Sequence, residues 1–256
     1  MRITITSIVF VLLLSYAASA QYARFPMSGT IEYEKTVNMY AIIQKRIGSN
    51  NAGYLQQAFE SYKKTQPQFK KLKSSLAFTG TKTLFKPSEE SAPSGFMGDD
   101  PLVRQNNIVF NDLSSGSSII QKSVFEQTFL VKDSTRKINW KITSETREIA
   151  GYTCRRANAL VLDSVYVVAF YTDQIPVSGG PESFNGLPGM ILGLALPHEH
   201  ITWFALKVTD QAVPANAVTP PSKGKATDNK GLRTTLGDAL KAWGDYAQTA
   251  MKAFFL

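Results

Sequence analysis

Between Asn107 and Asp210 the chain alternates short β patterns with turns and leaves no room for a helix between them. Ile108–Phe110, Ser118–Gln121, Val124–Val131, Ile138–Thr143, Tyr152–Leu160 and Val165–Tyr171 follow one another closely. Met190–Leu196 and His200–Asp210 complete the series. Asp133–Ser134 and the stretch Arg147–Gly151 supply turn chemistry. Strands at this spacing without crossover helices make antiparallel meanders, not βαβ units. The expected fold is mainly β: a curved antiparallel sheet or open β-barrel of roughly eight to eleven strands, with one or two covering helices.

An earlier strand fits the same sheet. In Gly29–Asn38, Ile31, Tyr33 and Val37 share one parity while Glu32 and Glu34 take the other. Two helices break the β pattern. Tyr54, Leu55, Ala58, Phe59 and Tyr62 have helical spacing, and Pro67 closes them, so a helix is expected over about 52–65. Leu232, Leu236, Leu240, Trp243, Ala247, Ala250 and Phe254 form one apolar stripe. They predict a single amphipathic helix over 232–256 that docks on the sheet, or else contacts a membrane surface. Residues 211–231 are polar and rich in proline and glycine, the composition of a linker. The domain proper therefore spans 21–210, with the helix at 52–65 as an insertion.

Residues 1–20 are expected to be a signal peptide. Arg2 precedes an apolar run from Ile8 to Leu14, and Ala18-Ser19-Ala20 offers a cleavage site before Gln21. The expected location is therefore the periplasm or the exterior. The chain has one cysteine, Cys154, so no internal disulfide can form, and the residue is expected to pack as a small buried side chain. The net charge of +8 is spread along the chain, with local clusters at Phe69–Lys73 and Cys154–Arg156. No nucleic-acid module accompanies it.

Signatures of chemistry are few. There is no G-x-S-x-G, no H-E-x-x-H and no phosphate-binding glycine loop. The chain is read as a non-enzyme without a cofactor; a hydrolase with an unrecognised carboxylate site is an alternative. His198 and His200 are the only histidines. On a strand they would share a face and could bind copper or zinc. They lack obvious further ligands, since structural zinc takes four. Trp140, Tyr171, Phe184 and Trp203 lie in or beside strands. They either fill the core or line a curved face that takes an apolar ligand.

One set of motifs carries a resemblance. W-x-I-T begins at Trp140, I-x-G-Y-x-C-x-x-A at Ile149, and I-P-x-S-x-G-P at Ile175. Gly186, Leu187, Pro188, Gly189, Met190 and Ile191 then form a hexapeptide. In this combination the chain resembles the GLPGLI family of exported proteins of Gram-negative bacteria, with Met190 standing where the family has a second leucine. The resemblance covers about Asn107 to Asp210. It implies an envelope protein of unestablished activity. Its partners would be another envelope protein, such as an outer-membrane TonB-dependent transport component, or an apolar ligand. By fold analogy alone it implies a sheet like that of periplasmic lipoprotein carriers. The turn residues Gly186, Leu187, Pro188 and Gly189 would shape the rim of a binding face, with Trp140, Tyr171, Phe184 and Trp203 as contacts.

Overall fold

The computed structural model describes residues 25–49, 51–88, 100–104 and 107–256. The expected signal peptide lies outside these residues. Twelve strands form one sheet: β1 (Gly29–Asn38), β2 (Phe69–Thr79), β3 (Lys82–Pro87), β4 (Ile108–Asp112), β5 (Ser117–Val124), β6 (Gln127–Ser134), β7 (Lys141–Ile149), β8 (Tyr152–Val161), β9 (Val165–Thr172), β10 (Met190–Leu196), β11 (Ile201–Thr209) and β12 (Lys225–Thr227). Their spatial order is β12-β6-β5-β4-β3-β2-β1-β11-β10-β9-β8-β7. Every pairing is antiparallel except that of β12 with β6. The sheet is open, with β12 and β7 at its edges. Two meanders, β1–β6 and β7–β11, are joined by β1 against β11, from Thr30↔Thr209 to Val37↔Ile201.

The expected mainly β class holds. The strand beyond the expected eight to eleven is β12, whose three residues are too short to show a period. It lies in the stretch whose composition predicts a linker. β7 runs over Lys141–Ile149 where the sequence predicts Ile138–Thr143. It is an edge strand exposed along most of its length, so it carries charges in place of an apolar alternation.

The sheet is strongly curled. Leu162 sits in the tight β8–β9 turn, yet it lines the same cavity as Ile120 of β5 and Val131 of β6. In a flat sheet β9 and β6 would lie about 38 Å apart, eight strand spacings. Curling brings the two halves round a common interior. The core there includes Ile31, Tyr33, Val37, Leu76, Phe78 and Leu194.

Part of that interior is filled by the β9–β10 connection, residues 173–189. Connections normally run over the surface because their backbone groups need partners. This one is buried: Ile175, Val177, Phe184 and Leu187 are at most 2% exposed. Its backbone is satisfied by short-range bonds and by the strand it feeds. Met190 N–H donates to the Ile175 carbonyl at 3.1 Å, and Ile191 N–H to that of Gly179 at 2.8 Å. From the central strand, the Tyr33 hydroxyl donates to the Ile191 carbonyl at 2.6 Å.

Helices cover the rest. α1 (Met39–Arg46) follows β1 directly, capped by Asn38, whose side chain accepts from Ala41 N–H. α2 is Ala52–Thr65, with the bounds its periodicity predicts. α3 (Pro101–Arg104) is a single turn. The C-terminal stripe forms two helices, α4 (Asn229–Leu240) and α5 (Asp245–Phe255), where the spacing predicts one. Gly244 adopts φ +55° between them. A continuous 25-residue helix would extend about 37 Å. The break folds Leu232, Leu236, Leu240, Ala250 and Phe254 onto one patch with Val124, Phe129 and Val131. Trp243, at the break, leaves the stripe and is 45% exposed.

Candidate functional site

The residues expected to contact an apolar ligand are packed into the protein. Tyr171, Phe184, Leu187 and Trp203 are between 1% and 4% exposed. Trp140 is half-buried and donates its indole N–H to the Asn185 carbonyl at 2.9 Å, tying β7's approach to the buried connection. Gly186 and Pro188 are exposed, while Gly189 is buried where the chain passes the backbone of Thr172. The aromatic face is thus occupied by the protein's own connection, and these side chains present little surface to a ligand.

The histidines are not on a strand. Pro197–Glu199 form a 3-10 turn, and His200 follows in the left-handed region. The same-face argument for a metal pair therefore does not apply to them. The His198 ring lies beside that of Tyr166, with centroids 6.4 Å apart. His200 lines a cavity of about 530 Å³ between α1 and α5. Among the described residues no three histidine, cysteine or carboxylate side chains gather to hold a metal ion. Between the histidines, Glu199 is buried and bound by Lys252 at 2.6 Å and Lys45 at 3.5 Å. Asp100, in the same cavity, pairs with Arg46. The charges of that cavity are thus paired: they tie α1 to the residue before α3, and both α1 and α5 to the turn before β11.

A second cavity has a different character. It encloses about 410 Å³ between the inner face of β4–β6, the buried connection and the C-terminal helices. Four cationic side chains line it, Lys122, Arg136, Lys137 and Arg233, with the side-chain carboxylates of Asp133 and Glu182; Leu256 lies in the same wall. Asp133 is committed elsewhere: it accepts from Ser134 N–H at 2.7 Å and from Asn229 N–H at 3.0 Å at the start of α4. These bonds hold its pKa below the ordinary value. Glu182 sits on the buried connection, 4% exposed, and accepts from the Asn107 amide at 3.0 Å. Burial raises its pKa, opposed by Lys35, by the Asn107 bond, and by Lys122 and Arg136.

Glu182 thus faces three cations. Burial pushes Lys122 and Lys35 down to about 8 and Arg136 to about 10, with Glu182 opposing each shift. Lys35 lies 5.0 Å from the centre of the Trp203 ring and donates to the Leu102 carbonyl of α3 at 2.8 Å. Lys122 donates to the Phe254 carbonyl, and Arg136 Nη2 to the backbone oxygens of Phe255 and Leu256. The end of α5 is therefore fastened to the chamber wall through Lys122 and Arg136.

Alternation in the sequence could have found two of these residues. Lys35 shares the parity of Ile31, Tyr33 and Val37, and Lys122 that of Ile120 and Val124. A charge on the apolar parity of a strand is a buried charge, and that demands a partner. Glu182 and Arg136 carry no such signal, because they lie outside the strands.

A family model described as a protein of unknown function, Porph_ging, matches residues 160–193. That stretch is the end of β8, β9, the buried connection and the start of β10. No curated protein matches the chain. Two crystal structures of PNGF-II are similar in fold. One superposes with a TM-score of 0.52 at 14% identity over 81% of this chain and 32% of that one. The other gives 0.51 at 16% identity over 82% and 33%. This chain thus spans about a third of the length of PNGF-II, and the likeness is one of fold alone. An uncharacterised conserved protein from Thermus thermophilus aligns at a TM-score of 0.39 and 3% identity, over 80% of this chain and 93% of its own.

Proposed function

We propose that the protein is an exported envelope protein that binds a small polar molecule in the chamber between β4–β6, the buried connection and α4–α5. The supporting observation is the chamber itself, about 410 Å³ in volume with Lys122 and Glu182 buried in its wall. That volume falls in the range of small-molecule sites, and ionised side chains held out of water are costly unless something there uses them. The motifs shared with GLPGLI proteins support the envelope setting, and an outer-membrane TonB-dependent component remains the partner they imply. The reading is of a binder without catalytic chemistry. Both described cavities carry more cations than carboxylates, which does not favour the hydrolase alternative.

Native mass spectrometry of the purified protein tests this reading. A bound small molecule should be seen on the intact protein and be released on denaturation. Thr135 is half-buried in the chamber wall. A Thr135→Trp variant should fold and carry no adduct. An adduct that persists at wild-type occupancy in this variant would place the ligand elsewhere.

A further inference from the structure

We infer that the other cavity, between α1, α2 and α5, is a second binding site, for a neutral amphiphile: an apolar body with one hydroxyl or carbonyl head. It is separate from the chamber and does not depend on the chamber holding a ligand. At about 530 Å³ it falls in the range of small-molecule sites. Ile42, Ile43, Leu55, Leu102 and Tyr246 give it apolar walls.

Its ions leave no place for a charged ligand. Both buried carboxylates are held: Glu199 by Lys252 at 2.6 Å, and Asp100 by Arg46 and by the Leu102 N–H at 2.7 Å. The third cation, Lys45, also reaches Glu199, donates to the His198 carbonyl at 3.0 Å and keeps 55% of its side chain exposed. A charged head would lose its hydration and find its partners taken, whereas a neutral head loses little. Three polar side chains of the lining, His200, Thr249 and Tyr246, make no hydrogen bond among the described residues. Hydroxyls both donate and accept, so they answer a hydroxyl or a carbonyl equally. Two of the three are held in place. His200 sits at φ +57°, its N–H bound to the Pro197 carbonyl at 3.2 Å and its carbonyl accepting from Asn38 N–H at 3.0 Å. The Tyr246 ring is stacked on Trp243 with centroids 5.7 Å apart and lies 5.8 Å from the Arg46 guanidinium. Groups fixed in advance lose little freedom on binding.

Isothermal titration of the purified protein tests the class. The probes are 1-octanol and octanamide, with octanoate, octylamine and glucose as comparators. At least one neutral probe should bind; the charged molecules of the same chain length should bind about tenfold or more weakly, and glucose should not bind. Thr249 is exposed on the rim, so Thr249→Trp should fold and abolish binding. Thr135→Trp, in the chamber, should leave it unchanged. Removing two hydroxyls in Tyr246→Phe/Thr249→Val should weaken the neutral probes by about tenfold. Equal or tighter binding of octanoate or octylamine overturns the neutral head. Binding that survives Thr249→Trp, or is lost in Thr135→Trp, overturns the cavity as the site. If neither neutral probe binds, the inference fails, while an adduct blocked by Thr135→Trp would still support the chamber.

Discussion

Gly189 is the position where one added methyl should cost most. Its φ is +154°, and a Cβ built there would lie 2.1 Å from the Thr172 carbonyl oxygen. Backbone cannot yield as the end of a side chain can. Gly189→Ala should lose about 3 kcal/mol or more in chemical denaturation. Gly186 has φ +92°, but its added Cβ would meet Trp140 Nε1 at a comfortable 3.6 Å. Gly186→Ala should cost only about 1–2 kcal/mol, the strain of a positive φ. Equal losses would show that close approach to Thr172 is not what selects glycine at 189. Cys154 gives a second test. It is fully buried, and burial pushes its thiol up from 9.0 to about 12. A thiol reagent at pH 8 should therefore modify it only as fast as the protein opens. Between pH 9 and 12 the unfolded chain loses this proton while the folded one keeps it, so stability falls as pH rises. Across that window the wild type should lose more stability than Cys154→Ala; parallel curves would deny the shift.

Among the elements, α5 is tied to the turn before β11 by an ion pair, in addition to the bonds of Lys122 and Arg136 at its end. Lys252 Nζ lies 2.6 Å from Glu199 Oε1, joining the helix to the 3-10 turn before β11. Lys252→Met leaves the buried Glu199 with only the longer contact to Lys45 among the described residues. The pair is partly solvated at Lys252, so the expected loss is about 1–3 kcal/mol. It should be local. Amide exchange over 245–255 should quicken while β1 and β11 keep their rates; a uniform change would mean that α5 and the sheet open as one unit. The sequence foretold α2 because its apolar spacing and Pro67 are local. It did not foretell the break between α4 and α5. The stripe continues through Trp243 in sequence, and the fold-back at Gly244 brings it onto a patch, Val124, Phe129 and Val131, that is distant in sequence.

In the whole molecule, β1 is the joint. It pairs with β2 on one side and with β11 on the other, linking Thr30 to Thr209 and thereby the two meanders. Its amides should be among the last to exchange, and those of the edge strands β7 and β12 among the first. Early exchange in β1 would mean that the two meanders separate before either unfolds. The same joint makes the interior possible. Curling about β1 closes the two meanders around the buried connection and leaves the charged chamber beside it.

The chain's local pattern carries the β class, the turns and the alternation of β1, because each rests on neighbours a few residues apart. It also carried the charge of Lys35 and Lys122 on apolar parities, a local sign of something buried. Long-range packing made Tyr171, Phe184 and Trp203 core and put the histidines on a turn. It alone decided that Asn107, Lys122, Arg136 and Glu182 share one chamber. These residues come from separate strands and connections, and no period links them. Their meeting depends on how far a twelve-stranded sheet curls and on a connection that runs through its interior. Side-chain packing across the whole sheet sets both.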